Sequence, residues 1–180
     1  MSSRPTTSQL ILFGVTEFLT KKMEAHNARL SSVANPQTAF SGKLPAAITP
    51  ARYIKGLVKN FETSPGVIVV MLIYIERLLT KMEMEYKAVG GKDPILFTSY
   101  NAHRIILTTF LIAHKYCEDR NYRLASIARS GGIERDELIF LENEFLNFVD
   151  YNLYVDEETF NKYTESALIF SRHLLERHQP

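Results

Sequence analysis

The sequence lacks the features on which several large classes of protein depend. Its single cysteine, Cys117, excludes an intrachain disulfide and favours a reducing compartment. Lys and Arg number 21 against 20 Asp and Glu, whereas proteins that bind nucleic-acid phosphates are usually far more basic. The longest strongly apolar run, residues 67–75, would form a helix of about 14 Å, and a bilayer core is about 30 Å thick. With no signal-peptide pattern at the N-terminus, we expect an intracellular protein without membrane or nucleic-acid partners.

Catalytic motifs are also missing. The sequence has no glycine-rich phosphate loop, no nucleophile elbow and no metalloprotease histidine pair. His114 and Cys117 are three residues apart on a predicted helix, but packing is a better explanation for them than a catalytic dyad. His103 and His114 are three helical turns apart, about 16 Å, so they cannot share a metal ion. We therefore expect no enzyme activity, no cofactor, no metal and no small-molecule substrate.

What the sequence does contain is a series of helices with clear start and stop signals. Thr49-Pro50 and Ser64-Pro65 each place a hydroxyl N-cap before a proline at the first helical position. Residues 67–75 are rich in β-branched side chains, but the pattern continues to Lys81 without a break and therefore favours a buried helix over a strand. We predict helices at about residues 9–29, 50–61, 65–81, 99–117, 122–130, 134–150 and 156–175.

Three of these helices have particular expectations attached to their ends. Thr98 is predicted to cap the helix that begins at residue 99, and Asp156 is predicted to cap the last helix. Gly131-Gly132 should end the short helix at 122–130 through a left-handed glycine. The helix at 99–117 is apolar on nearly every side, which is typical of the centre of a helical bundle. The fold class is therefore all-α.

Two charged residues stand in apolar surroundings. Lys115 follows a long apolar stretch, and Glu142 lies between Leu141 and Phe145. Both should find polar partners, because leaving one member of a buried pair alone costs about 3–5 kcal/mol. Periodicity alone does not decide whether they pair with each other.

Several segments together resemble a known family, the cyclins. Residues 74–79 (YIERLL) resemble the second helix of a cyclin box, and residues 101–109 (NAHRIILTT) with 113–116 (AHKY) resemble its third. Residues 130–133 (SGGI), with the pattern that leads to 151–153 (YNL), resemble its end. The His-Arg and Gly-Gly-Ile phrasing is similar to that of single-box, P/U-type, phosphate-pathway-like cyclins. The resemblance covers about residues 49–163.

That resemblance implies a division of the chain and a function. It implies a single five-helix cyclin box at 49–155, preceded by an extra N-terminal helix and linker at 1–48 and followed by a C-terminal helix and tail at 156–180. A cyclin of this kind is a regulatory subunit that binds and activates a cyclin-dependent Ser/Thr protein kinase by docking its C-helix. By motif, Lys115 and Glu142 would hold backbone groups of the kinase. The resemblance also implies an apolar groove beside them, lined by Ile112, Tyr116, Leu146 and Leu153.

The sequence departs from cell-cycle cyclins, and other functions stay open. Those cyclins pair an arginine of the first box helix with the acidic residue of the second. Here that acidic residue is Glu76, and Arg52 is at an uncertain register. The substrate-docking tryptophan is missing too. One alternative is a cyclin-fold transcription factor, although only the short tyrosine and arginine cluster at 116–123 suggests base stacking. Another is a noncatalytic interaction scaffold.

Overall fold

A computed structural model describes residues 4–32 and 35–177. Within these ranges the chain forms helices and no β-strand, which confirms the all-α prediction. Residues 1–3, 33–34 and 178–180 lie outside the described parts of the predicted arm and tail. The helices are α1 (Thr7–Asn27), α2 (Pro50–Asn60), α3 (Pro65–Ala88), α4 (Ala102–Cys117), α5 (Leu124–Gly131), α6 (Arg135–Phe148) and α7 (Glu157–Arg177).

α4 is the central helix, as its apolar composition predicts. Residues 105–114 are all buried, including the two threonines at 108 and 109. Their hydroxyls donate to carbonyls of the preceding turn, at 2.7 Å for Thr108 to Arg104 and 2.8 Å for Thr109 to Ile105, so no polar group is left unsatisfied there. α4 packs against α2, α3, α5 and α6, and residues 67–75 of α3 are buried along with it. The run of β-branched residues is therefore a core helix.

Some helix ends match the sequence signals. Thr49 caps α2 by accepting from the Arg52 N–H at 3.3 Å, and Gly132 ends α5 at φ +76°, in the left-handed region that favours glycine. Asp156 caps α7 by accepting from the Thr159 N–H at 2.7 Å. That bond also holds the pKa of the Asp156 carboxyl below its usual value.

Other ends differ from the predictions. Thr98 does not cap α4, because residues 99–101 form a turn in which the Thr98 hydroxyl accepts from the Tyr100 N–H, and the helix begins at Ala102. The Ser64 hydroxyl makes no capping bond to α3 and bonds to the Glu118 carboxylate, which also accepts from the Ser64 N–H at 3.1 Å. α3 continues seven residues beyond Lys81, to Ala88, because the segment consists of good helix formers.

α1 and the linker that follows it are built into the same core as the box. α1 packs against α2, α3 and α7, so the N-terminal helix behaves as an extra layer of the bundle. The described residues of the linker form no helix, but Phe40 among them is fully buried. At the end of α1, His26 Nδ1 accepts from the Phe97 N–H at 2.8 Å and the Asn27 side chain accepts from the Ser99 N–H at 3.0 Å. These bonds tie the arm to the connection between α3 and α4.

The start of α2 depends on a side chain of α1. The buried Ala51 N–H donates to the Thr20 hydroxyl at 3.1 Å, and that hydroxyl donates to the Thr16 carbonyl at 2.9 Å. We expect Thr20→Val to lower the free energy of unfolding by about 1–3 kcal/mol, because it leaves a buried N–H without an acceptor. Thr109→Val is the control, because the Thr109 hydroxyl only donates to carbonyls of its own helix and no N–H depends on it. Chemical denaturation of the two variants measures the difference in the free energy of unfolding. Equal losses in the two variants would contradict the capping role.

Candidate functional site: a paired lysine and glutamate beside an apolar surface

The structure brings Lys115 and Glu142 together. Lys115 lies in the last turn of α4, and its Nζ donates to Glu142 Oε1 of α6 at 2.7 Å. The lysine side chain is 48% exposed and the glutamate side chain is 15% exposed. The carboxylate is therefore mostly shielded between α4 and α6, whereas the ammonium is accessible to solvent. Glu142 is displaced from the buried stripe of α6, formed by Leu138, Leu141 and Phe145. The mutual pairing that periodicity left open is therefore present.

The four apolar residues that the resemblance implies do not contribute equally. Tyr116 is 46% exposed, and Leu146 and Leu153 are half-buried, so each of the three keeps part of its side chain accessible. Tyr116 follows Lys115 on α4, and Leu146 lies one turn after Glu142 on α6. Ile112 is only 2% exposed, so it belongs to the core and offers almost no accessible surface. We use the name candidate surface for the set Lys115, Tyr116, Glu142, Leu146 and Leu153.

Sequence reasoning missed the residue that joins the two sides of this surface, Tyr74 of α3. Its ring is fully buried, with its centroid 6.3 Å from that of Tyr116 and 5.7 Å from that of Phe145. Its hydroxyl donates to the Leu153 carbonyl at 2.8 Å. Burial strongly raises the pKa of the Tyr74 phenol, so it remains a donor at all physiological pH values. The available signal was the single hydroxyl group within the apolar run at residues 67–75.

The surroundings of Cys117 disfavour its thiolate form. Part of the residue is exposed, yet desolvation of the thiol, and to a lesser extent the neighbouring Glu118 carboxylate, raises the pKa of the Cys117 thiol to about 11. The thiol is therefore protonated at neutral pH, and the thiolate is the nucleophilic form. His114 Nε2 lies 3.2 Å from the Glu62 carbonyl oxygen, so this ring nitrogen is engaged with the segment after α2.

The tyrosine and arginine cluster at 116–123 is mostly engaged within the fold. The Tyr122 ring packs edge-on against Phe61 and His114, with centroids 4.9 and 5.3 Å away, and its hydroxyl accepts from the Glu62 N–H at 2.9 Å. Arg120 is paired with the Glu62 carboxylate at 2.8 Å. Tyr122 and Arg120 thus have structural roles between α4 and the segment after α2.

Glu76 has partners other than the arginine of cell-cycle cyclins. It accepts from the Tyr163 hydroxyl of α7 at 2.6 Å, and Lys22 of α1 lies 3.9 Å away. Burial and this hydrogen bond both raise the pKa of the Tyr163 phenol. Arg52 lies exposed on α2. The acidic residue of the second box helix therefore links α3 to the two flanking helices.

Two further features are absent from the parts of the chain that the structure describes. There, no three histidine, cysteine, aspartate or glutamate side chains are grouped so that they could hold a metal ion. Nor, within residues 4–32 and 35–177, does any helix have the length and apolarity that crossing a bilayer needs.

Comparison with known proteins agrees with this architecture. Residues 11–153 match the family model of the cyclins, a range that begins within α1 and includes the whole candidate surface. The chain belongs to the cyclin family. The relatives that it matches include U-type and P-type cyclins, so within the family the chain is a cyclin of the P/U type.

Three relatives indicate the extent of the similarity. Cyclin-U3-1 of Arabidopsis thaliana is 36% identical over 124 residues, which cover 69% of this chain and 51% of the relative. Cyclin-U4-3 of the same plant is 29% identical over 147 residues, covering 81% and 62%. The PHO85 cyclin-like protein psl1 of Schizosaccharomyces pombe is 27% identical over 150 residues, covering 83% and 58%. The chain thus spans between half and two thirds of the length of these curated relatives.

Proposed function

We propose that the chain is a noncatalytic regulatory subunit that binds a cyclin-dependent Ser/Thr protein kinase and activates it by docking the kinase C-helix on the candidate surface. The observation that carries this proposal is the 2.7 Å Lys115–Glu142 pair at the edge of exposed and half-buried apolar side chains. In this proposal residues 49–155 form the kinase-binding box, and residues 1–48 and 156–180 support it. The complex is intracellular, in the cytoplasm, the nucleus or both.

The physical basis of activation is a shift between two kinase conformations. An active protein kinase needs its C-helix glutamate to meet the strand lysine that holds the ATP phosphates. A surface complementary to the inward C-helix, and less complementary to the outward one, favours the active state by the difference between the two binding free energies. Tyr116, Leu146 and Leu153 offer the apolar part of such a surface, in the helix-in-groove mode.

The charged pair supplies orientation. Lys115 has an ammonium that can donate to kinase carbonyls, and Glu142 has a carboxylate that can accept from kinase N–H groups. In the free chain these two groups satisfy each other, so neither is left unpaired before the kinase binds. A kinase helix that offers both a donor and an acceptor replaces one set of bonds with another. Charged groups used in this way fix register and reject wrong partners.

The test uses a panel of purified cyclin-dependent kinases encoded by the same genome. Each is mixed with the full chain, and both complex formation and phosphorylation of a generic peptide are measured. We expect at least one kinase to bind and be activated. Lys115→Ala and Glu142→Ala should abolish both effects while the helical circular dichroism is retained.

The possible failures have different meanings. Retained activation in both alanine variants would refute the roles of Lys115 and Glu142. Binding without activation would make the chain an interaction scaffold. Binding to none of the kinases, together with a mobility shift of DNA or RNA at moderate salt, would favour the cyclin-fold transcription factor.

A further inference from the structure

The short segment after α6 is held rigidly by α3. We call residues 150–154 the tyrosine ledge. Arg77 of α3 donates from Nη1 to the Asn152 carbonyl at 2.6 Å and from Nη2 to the Tyr154 carbonyl at 3.2 Å. With the bond from Tyr74 to the Leu153 carbonyl, three successive carbonyls of the ledge accept from one helix. A fork of two guanidinium donors fixes backbone position more closely than a single point charge does.

The backbone at the start of the ledge is left-handed and is held by local bonds as well as by α3. The Tyr151 N–H donates to the Leu146 carbonyl at 2.8 Å, and the Asp150 N–H donates to the Asn147 carbonyl at 3.1 Å. Asp150 and Tyr151 have φ values of +52° and +56°, a region that residues with a Cβ seldom adopt. Two successive residues in that conformation persist only where neighbouring groups hold them. Lys81 contributes at the start of the ledge, with its Nζ donating to the Asp150 carboxylate at 2.9 Å. Arg77 and Lys81 are four residues apart, so both donors lie on one face of α3.

The rings of the ledge point the other way, into solvent. Tyr151 is 66% exposed and Tyr154 is 70% exposed, although the carbonyl of Tyr154 is fixed by Arg77. The fold thus orders the backbone and leaves two large aromatic side chains in water. Tyrosine is enriched at protein interfaces because it presents a large rigid area with a polar tip.

The ledge is continuous with the candidate surface. Leu153 belongs to both, and Tyr154 is the next residue along the chain. The buried Tyr74 contacts Tyr116 on the α4 side and the Leu153 carbonyl on the ledge side. A helix that docks between Lys115 and Leu153 therefore brings its own protein next to Tyr154.

We propose that Tyr154 is a further contact for the docked kinase and that Arg77 is the positioning residue that holds Tyr154 in place. This inference rests on the proposed function. The contact adds apolar area outside the groove, with the hydroxyl at its edge. It would distinguish kinases whose surface beside the C-helix is apolar from kinases whose surface there is charged.

The test is a double-mutant cycle with the kinase that the wild-type chain binds most tightly in the panel. We expect Tyr154→Ser and Arg77→Met each to weaken affinity about tenfold. The double variant should be no weaker than the weaker single, because Arg77 acts through the placement of Tyr154. Arg77→Lys should restore part of the affinity, since it offers one donor instead of two. Ile169→Ser, at a 58% exposed residue of α7, is the matched control and should bind like the wild type.

A second measurement separates positioning from general stability. In Arg77→Met, amide hydrogen exchange should accelerate within residues 150–155 while the middle of α4 keeps its protection. Additive losses in the cycle, or unchanged affinity of Tyr154→Ser, would overturn the inference. If those results came with loss of binding in Lys115→Ala, the proposed function would stand without it. Absence of kinase binding by the wild type would overturn both.

Discussion

Exchanging the two charges, Lys115→Glu with Glu142→Lys, is expected to abolish kinase activation while leaving the fold intact. An ion pair of the same two groups can form again in the variant, so stability should change by less than about 1 kcal/mol. A docked kinase would meet a carboxylate where the wild type offers an ammonium, and an ammonium where it offers a carboxylate. Reversed charge at a desolvated contact should cost at least about 100-fold in affinity. Titration of kinase activity with the purified variant, alongside thermal unfolding, measures both quantities.

The chain provides a matched control for this exchange. Arg104 of α4 and Glu137 of α6 form a second ion pair between the same two helices, with Nε and Oε1 2.7 Å apart and side chains 30% and 35% exposed. Arg104 is three helical turns before Lys115, so this pair lies away from the candidate surface. Arg104→Glu with Glu137→Arg should activate the kinase like the wild type. If both exchanges abolished activation, the effect would belong to the α4–α6 contact in general and not to the proposed docking.

Gly14→Ala is expected to lower the free energy of unfolding by about 2 kcal/mol, although alanine is the better helix former. A Cβ at this buried position of α1 would lie 2.2 Å from the Ala167 carbonyl oxygen of α7. That oxygen is backbone and cannot rotate away, so the two helices must separate. Urea denaturation measures the loss.

The same substitution elsewhere should have the opposite sign. Gly56 lies exposed within α2, and a Cβ there would meet nothing within 4 Å. Gly56→Ala should therefore raise the free energy of unfolding by about 0.5–1 kcal/mol. A stabilising Gly14→Ala would show that α1 and α7 separate freely, and the α1–α7 contact would then not constrain the bundle.

Much of the fold could be predicted from local sequence signals, because those signals act within one turn of helix. Thr49 and Asp156 cap the helices they precede, and Gly132 ends α5, each through bonds or backbone angles that involve only nearby residues. The buried helix at 67–75 could also be predicted, because its length and flanking charges outweighed its β-branched composition.

The errors arose where other bonds compete with the capping signal. Ser64 satisfies the capping pattern, yet both its hydroxyl and its N–H bond to Glu118, which is 54 residues away in sequence. Thr98 fails for a partly local reason, because its hydroxyl accepts from the Tyr100 N–H within a turn. The Ser99 N–H of that turn donates to Asn27 of α1, and contacts of this kind depend on tertiary structure.

The site was predicted unevenly for a related reason. The resemblance pointed to Lys115 and Glu142, while periodicity could not decide whether residues on two separate helices meet. Burial of Ile112 could not be distinguished from partial exposure, because α4 is apolar all round. The contacts of Arg77 with the ledge follow a left-handed backbone at residues 150 and 151. Neither residue is glycine, so the sequence contains no signal for that conformation.

The way the arm is attached bears on how related cyclins could be recombined. Phe40 fills the interior, Thr20 supplies the acceptor for the first turn of α2, and His26 and Asn27 hold the connection before α4. A chimera joined at Thr49 would combine one parent's box with the buried phenylalanine and the hydrogen-bonding side chains of another parent's arm. Crossovers placed at the exposed residues 119–121, after α4, would leave all of these contacts with a single parent.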